Sequence, residues 1–312
     1  MIVEIIPAAL AGERLDRIVA LIAECSRSEA AQLIAAGGVQ LDEEVEHIGK
    51  RRVKADQVVA VDPSMLPVAG GPEPDPSVEF TVVHADEHLI VVDKPAGLVV
   101  HPGAGNPSGT LVNGLLARFP ELEGVGEPHR PGIVHRLDVG TSGLLAVART
   151  SRAYHVLVDA LAARDVGRVY RALVWGHLAN PHGVVDAPIG RDHRDPMRMA
   201  VVVDGRPSRT RYRVVREYRT PTEVSSLECR LESGRTHQIR VHLSAIGHPV
   251  VGDATYGGVR AHIHPPRPFL HAAALELDHP VSRESMRFES ALPDDLAEIE
   301  AELVANDSGT PD

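Results

Sequence analysis

Hydrophobic positions recur along the chain with two periods, and the switches between them mark out its segments. From Glu13 the apolar residues Leu15, Ile18, Val19 and Ile22 fall on one helical face. Ser26-Arg27-Ser28-Glu29 has the form of a capping box, which predicts a second helix through Ile34 that stops at Gly37-Gly38. Short β-like segments come next at 39–41, 44–48 and 58–61, and an extended lead-in occupies 1–12. Residues 63–77 hold five prolines and two glycines, so neither helix nor sheet ladder persists there. That stretch reads as a linker, which lets the small first domain move relative to the larger remainder of the chain.

Past the linker, alternation predicts strands at 78–84 and 89–93, a helix over 111–118, and β-like runs at 132–134 and 144–147. Ser151 is placed to cap a helix that runs to Arg164 and ends by Gly167. A strand is expected over 168–176, with Tyr170, Ala172 and Val174 on one face. Two long antiparallel strands at 208–218 and 223–233 lead through Gly234 into a short helix at 236–243, whose N-terminus suits a phosphate. A compact loop over 248–258, strands at 269–277 and 286–291, and an acidic closing helix complete the pattern. Many strands, scattered helices and no repeated βαβ period predict an α+β domain with a mixed, mainly antiparallel sheet, preceded by a small α/β module. The expected boundaries are a module at 1–62, a linker at 63–77, a main domain at 78–304 and a disordered tail at 305–312.

Composition narrows the function. The chain has 312 residues, 43% of them hydrophobic, so a sizeable core is expected; aromatics make up only 3%, so any base-stacking surface rests on few side chains. No apolar run approaches the ~18 residues of a membrane helix and no signal peptide is visible, so a cytoplasmic protein without a membrane partner is expected. Cys25 and Cys229 read as reduced core thiols. The net charge of -11 speaks against nucleic acid, yet 191–240 carry 12 Arg against 7 acids while 270–312 carry 2 Arg against 11 acids. A basic middle and an acidic tail fit either a polyanion held on one face or a solvated basic strand pair.

The chemistry concentrates at Gly132-Ile133-Val134-His135-Arg136-Leu137-Asp138-Val139-Gly140-Thr141-Ser142-Gly143-Leu144-Leu145. Asp138 is expected at the mouth of a hairpin or loop, as either a self-capping turn residue or a reacting carboxylate. The 17 histidines show no grouping with metal-site spacing, so no metal is expected, and no P-loop, dinucleotide fingerprint or hydrolase elbow is present.

His135-Arg136-Leu137-Asp138-x-x-Thr141-Ser142-Gly143-Leu144 resembles the signature of the RluA family of RNA pseudouridine synthases. Four further motifs match in order: Lys94-Pro95-x-Gly97-x-x-x-His101, Arg168-x-Tyr170-x-Ala172-x-Val174-x-Gly176, Gly234-Arg235-Thr236-His237-Gln238-Ile239-Arg240-Val241-His242, and His248-Pro249-x-x-Gly252-Asp253-x-x-Tyr256-Gly257. Residues 13–62 resemble the S4 RNA-binding domain through their helix, Ser-Arg-Ser, helix, Gly-Gly-Val order and the Lys50-Arg51-Arg52-Val53-Lys54 cluster. Two departures stand out. Asp42-Glu43-Glu44 replaces a neutral turn in the S4-like module, and Val139-Gly140 replaces a charged pair after the aspartate.

The resemblance implies isomerisation of uridine to pseudouridine in RNA, with no cofactor. It implies that Asp138 acts at the ribose, either as nucleophile at C1′ or as base at C2′. Arg240 pairs with Asp138 and keeps it ionised, while Tyr170 stacks on the uracil and assists removal of the C5 proton. Arg136 fills the stack vacated by the flipped base. His135, Thr141, Ser142, Arg235 and His237 shape the loop or contact phosphate, and Leu243 packs on the base. The module and linker favour large-subunit ribosomal RNA, modified by a monomer. Transfer RNA as substrate, or a non-catalytic ribosome-assembly factor, are the rival readings.

Overall fold

A computed structural model describes residues 1–25, 27–65, 71–103, 105–195 and 198–308. The chain divides into two compact units, Met1–Gly71 and Pro72–Asp312.

In the first unit, β1 (Ile2–Ile5) precedes α1 (Leu15–Ile22) and α2 (Arg27–Ala35), and β2 (Val39–Leu41), β3 (Glu44–Val45) and β4 (Val58–Val61) come after them. The strands form an antiparallel sheet in the order β1-β4-β2-β3. The apolar stripe read from the sequence is the core: Leu15, Ile18 and Val19 pack with Leu33, Ile34, Val39, Val59 and Val61. Each such side chain contributes about 1.5–3 kcal/mol by leaving water. The lead-in is a strand rather than a simple extended arm, because Ile2–Ile5 pair with Val58–Val61. The capping residue expected at Ser26 lies outside the described residues, as do 66–70 of the expected linker.

The second unit is built on one nine-stranded sheet. In chain order its elements are β5 (Thr81–Ala85), β6 (Leu89–Lys94), α3 (Leu111–Arg118), β7 (Ser142–Ala148), α4 (Ser151–Ala163), β8 (Gly167–Trp175) and β9 (His182–Asp186). Then come β10 (Ile189–Arg191), β11 (Met199–Val201), β12 (Arg209–Tyr218), β13 (Val224–Leu231), α5 (Gln238–Ala245), β14 (Leu270–Asp278), β15 (Ser285–Glu289) and α6 (Asp294–Ser308). The order across the sheet is β5-β6-β7-β14-β8-β13-β12-β9, with β15 also on β14, and β10 and β11 make a separate hairpin. The pairing of β7 with β14 is parallel and the other pairings are antiparallel. The sheet is therefore mixed and mainly antiparallel, as the strand pattern implied.

Side-chain alternation on β8 assigns the two faces. Tyr170, Ala172 and Val174 share a core with Leu111 and Leu115 of α3 and Ile239 and Leu243 of α5, while Leu173 and Trp175 pack with Leu296 and Leu303 of α6. Local differences from the sequence reading have physical causes. The run at 132–134 makes only an isolated bridge, Ile133 to Val147, so Asp138 leads into one strand and not a two-stranded hairpin. Thr150, not Ser151, caps α4, its hydroxyl accepting from Ala153 N at 3.3 Å. Arg164 ends that helix in the left-handed region at φ 69°, and Gly167 instead begins β8. The last helix continues through Ser308, into the stretch expected as a tail, and 309–312 lie outside the described residues.

Candidate active site

Asp138 sits on the segment between Leu137, buried in the core, and the start of β7. Backbone bonds hold that segment on several sides: Thr141 N donates to Asp138 O at 3.0 Å, Gly97 N to Val139 O at 2.7 Å, and Arg267 Nη1 to Gly140 O at 3.1 Å. Arg267 is in turn anchored to Asp295 of α6 through Nε and Nη2 at 2.6 and 2.9 Å. Gly143 permits the entry into β7, since its φ of +111° and the 2.3 Å approach that a Cβ would make to Ala272 O exclude a side chain. The loop backbone is thus fixed before the carboxylate is considered.

Its partner comes from α5, more than a hundred residues further along the chain. Arg240 Nη1 donates to Asp138 Oδ2 at 3.2 Å, while its Nε and Nη2 grip Asp253 at 2.6 and 2.8 Å. The Asp253 pairing is the two-point fork that fixes the plane of a guanidinium. Asp253 is fully buried and also accepts from Thr255 N and Tyr256 N at 3.0 and 3.3 Å, so the 248–258 loop exists to present it. Burial opposes the charge on Arg240, but the bonds and charges of Asp253, and then Asp138, overcome it and raise the guanidinium above its ordinary range. Asp138 keeps 19% of its side chain exposed against 0% for Asp253. One carboxylate is committed to structure and the other is left available.

Tyr170 stands on the core face of β8, 5% exposed. Burial pushes its phenol up to about 12, with Arg168 pulling down and Asp138 pushing up. A phenol held protonated is a flat, neutral surface and a poor base at neutral pH.

A second cluster organises the turn before α5. Gln238 Oε1 accepts from Ser233 Oγ and Arg235 N at 2.8 and 3.1 Å, and its Nε2 donates to Arg209 O and Thr210 Oγ1, both at 3.0 Å. His237 then adopts φ 57° and meets the Tyr256 hydroxyl at 2.9 Å, while the Tyr256 ring lies 5.1 Å from the Arg240 guanidinium. Burial lowers the His237 pKa, with the Asp138 charge opposing. These side chains brace the turn that leads into α5, while the N-cap residue His237 makes no side-chain bond to the helix N–H groups.

The remaining sequence candidates fall in different places. Arg136 is exposed and donates to Thr236 Oγ1, joining the Asp138 segment to the turn before α5; Arg235 is exposed nearby. His135 turns inward, its Nε2 accepting from Ala146 N at 3.0 Å, and burial pushes its pKa down to about 3. Thr141 and Leu243 are 2% and 0% exposed and belong to the packed interior. Ser142 is buried with its Oγ 3.0 Å from His271 Nδ1. Sequence reasoning gave Asp253 no role, although it stands in the last of the ordered motifs, in a loop rich in turn residues. Lys94 was also passed over. It is fully buried, donates to Pro95 O and Leu98 O at 2.8 and 2.9 Å, and is lowered to about 8 by burial.

The Arg240–Asp138 contact is the pairing that the family resemblance implied, and the Asp253 fork behind it is an addition from the structure. Known proteins agree. A family model described as RNA pseudouridylate synthase matches residues 88–245, and one described as S4 domain matches 13–59. An uncharacterised RNA pseudouridine synthase of Chloroflexus aurantiacus is 46% identical, covering 94% of this chain and 91% of that one. A protein named ribosomal large subunit pseudouridine synthase D, from Xanthomonas campestris, is 43% identical over 96% of this chain and 91% of its own. The solved human RNA pseudouridylate synthase domain containing 1 superposes with a TM-score of 0.57 at 29% identity, covering 77% of this chain and 99% of its own. With the Asp138, Tyr170 and Arg240 motifs all inside the matched segment, the chain belongs to the RNA pseudouridylate synthase family, is an RNA-modifying isomerase, and carries an S4 domain ahead of its catalytic unit.

Proposed function

We propose that the protein isomerises specific uridines to pseudouridine in large-subunit ribosomal RNA, working as a cytoplasmic monomer. Asp138 acts at the ribose, Arg240 orients it, Tyr170 stacks on the uracil, and Arg136 props the vacated stack. The domains in this reading are an S4 module at 1–62 that helps hold the RNA and a catalytic domain at 78–304. The carrying observation is the shared guanidinium: Arg240, locked by Asp253, offers a single N–H to Asp138 at 3.2 Å. A carboxylate aimed in this way, with part of its surface open, can reach C1′ or the C2′ proton of a flipped nucleotide. The choice of ribosomal RNA draws on the S4 domain and on the names of relatives such as the Xanthomonas protein.

Asp138→Asn is expected to abolish pseudouridine formation while RNA affinity stays within a few fold, because the reacting charge is lost but few phosphate contacts are. Turnover near wild type would remove Asp138 from the chemistry. Pseudouridine maps of ribosomal and transfer RNA from cells with and without the gene decide the substrate: sites lost only from transfer RNA would overturn the ribosomal assignment.

A further inference from the structure

The arginine two positions before Tyr170 is buried without a partner. Arg168 is 7% exposed, its Nε is sealed from solvent with no acceptor, and among the described residues its guanidinium forms no hydrogen bond or ion pair. Burial holds its pKa below the ordinary range, with only the Tyr170 phenol acting in the opposite sense. An uncompensated buried charge costs several kcal/mol, so a fold that retains one has a use for it or a ligand that completes it.

Its surroundings say which. Alternation along β8 puts Arg168 on the same face as Tyr170. Its Nη1 would lie 2.7 Å from a Cβ on Gly234, so the glycine that opens the turn before α5 makes room for the guanidinium. On the side of the Asp138 segment, the charge of Arg168 helps depress His135. His135 Nε2 accepts from Ala146 N, which leaves the imidazole proton on Nδ1, and that atom too is sealed without a partner. Two donors, one of them cationic, are left without acceptors: Arg168 beside Tyr170, and His135 on the segment that carries Asp138.

We propose that Arg168 stabilises the negative charge that develops on the uracil ring as the C1′–N1 bond breaks, an inference that rests on the uridine-isomerising reading above. The electron pair of that bond passes to N1 and spreads over O2 and O4. C1′ is satisfied either by an oxygen of Asp138, whose C1′–O bond breaks and returns its pair to the carboxylate when C5 attacks, or by loss of the C2′ proton to Asp138, and in the second case the proton returns to C2′. After the ring turns, C5 supplies the pair for the C1′–C5 bond, its proton leaves, and N1 is protonated. Atoms and charges balance without a co-reactant. A phosphate carries its charge throughout and would be served by a cation that raises affinity, whereas the uracil anion exists only once the bond begins to break. A cation reserved for it raises the rate. Arg136 and Arg235, by contrast, are exposed, where phosphates can reach them.

The test uses large-subunit ribosomal RNA transcribed with UTP or with 5-fluoro-UTP, whose uracil leaves as a more stable anion. The readout is single-turnover formation of the C-glycoside nucleoside, resolved by chromatography after digestion; on the fluorinated RNA, C5 has no proton to lose, so the product keeps its fluorine and adds water across N1 and C6. Arg168→Gln is expected to slow uridine conversion by roughly 10²–10³-fold, the usual loss of a charge-stabilising donor, with RNA affinity within a few fold. The deficit should shrink at least several-fold on the fluorinated RNA. Should the glutamine variant fail to fold, Arg168→Lys carries the same comparison, with a smaller deficit that again shrinks on the fluorinated RNA. A wild-type rate, an equal deficit on both RNAs, or a loss confined to affinity with a shallower salt dependence overturns the proposal and leaves the assigned reaction intact. No C-glycoside from wild-type protein overturns both.

Discussion

On the outer sheet, Arg164, Arg209 and Arg211 converge on the single carboxylate of Glu232, whereas in the active site Asp138 and Asp253 converge on the single guanidinium of Arg240. The stoichiometry is inverted, and so is the physics. The three arginines keep 35–54% of their side chains exposed against 9% for Arg240, so solvent screens the surplus positive charge around Glu232 and each such pair contributes only ~0–1 kcal/mol. Inside, one cation between two carboxylates leaves a unit of negative charge, and geometry decides where it resides. Asp253 takes two guanidinium bonds and two backbone N–H donors, while Asp138 takes one. The less satisfied carboxylate is also the more exposed one, so reactive charge is concentrated where substrate can reach it.

The largest effect on stability is expected at Asp253. Asp253→Asn turns an NH2 group toward the guanidinium and leaves Arg240 short of an acceptor in a buried site, which should cost about 3–5 kcal/mol of stability in urea unfolding. Single-turnover rate should also fall by roughly 10²-fold, because Arg240 loses the fork that aims its Nη1 at Asp138. Asp138→Asn, at the open end of the same arginine, should be far milder in stability. If the two variants unfold at the same denaturant concentration, the division into a structural and an available carboxylate is wrong.

His135 tests the buried side through pH. The unfolded chain protonates this residue near 6.5, but the folded chain does so only near 3. Between those values the unfolded state binds more protons, so the stability that neutral His135 contributes is present above about 6.5 and is lost as pH falls toward 3. His135→Gln retains an acceptor for Ala146 N but cannot titrate. Wild type is expected to be the more stable at pH 7 by about 1 kcal/mol, with the gap closing or reversing by about pH 4 as the proton is taken up. A gap independent of pH would show that the imidazole is not held neutral.

Legibility from sequence divides along the same line between inside and outside. The helix Leu15–Ile22 was readable because its apolar positions recur at helical spacing on one face. Asp138, Tyr170 and Arg240 were readable as a set through ordered motifs, although nothing local brings β7, β8 and α5 together. Asp253 and Arg168 stood in those motifs without roles, because a buried charge has no periodic signature and its meaning lies in what it touches. The summed charge of 191–240 left two readings open, and the ion pairs show how much of it is engaged within the protein. Arg209, Arg211, Arg213 and Arg230 are paired with Glu228, Glu232 and Glu276, two of which lie inside that segment. Glu228 and Glu232 are already counted among the segment's seven acids, so of these three only Glu276 lowers its net positive charge further.

That neutralised face yields the smallest expected effect. Glu232→Gln should change stability by no more than about 1 kcal/mol, since the arginines released from it remain hydrated. If RNA passes over β12, the freed guanidinium charge should tighten binding at low salt about two- to threefold and steepen the dependence of log affinity on log salt by up to about one unit per added phosphate contact. The gain should vanish near ~0.2 M salt, where screening acts within ~8 Å. Unchanged affinity at every salt concentration would mean that the arginine and glutamate array only braces the outer strands. Cationic contact with the substrate would then fall to groups such as Arg136 and Arg235 around the site itself.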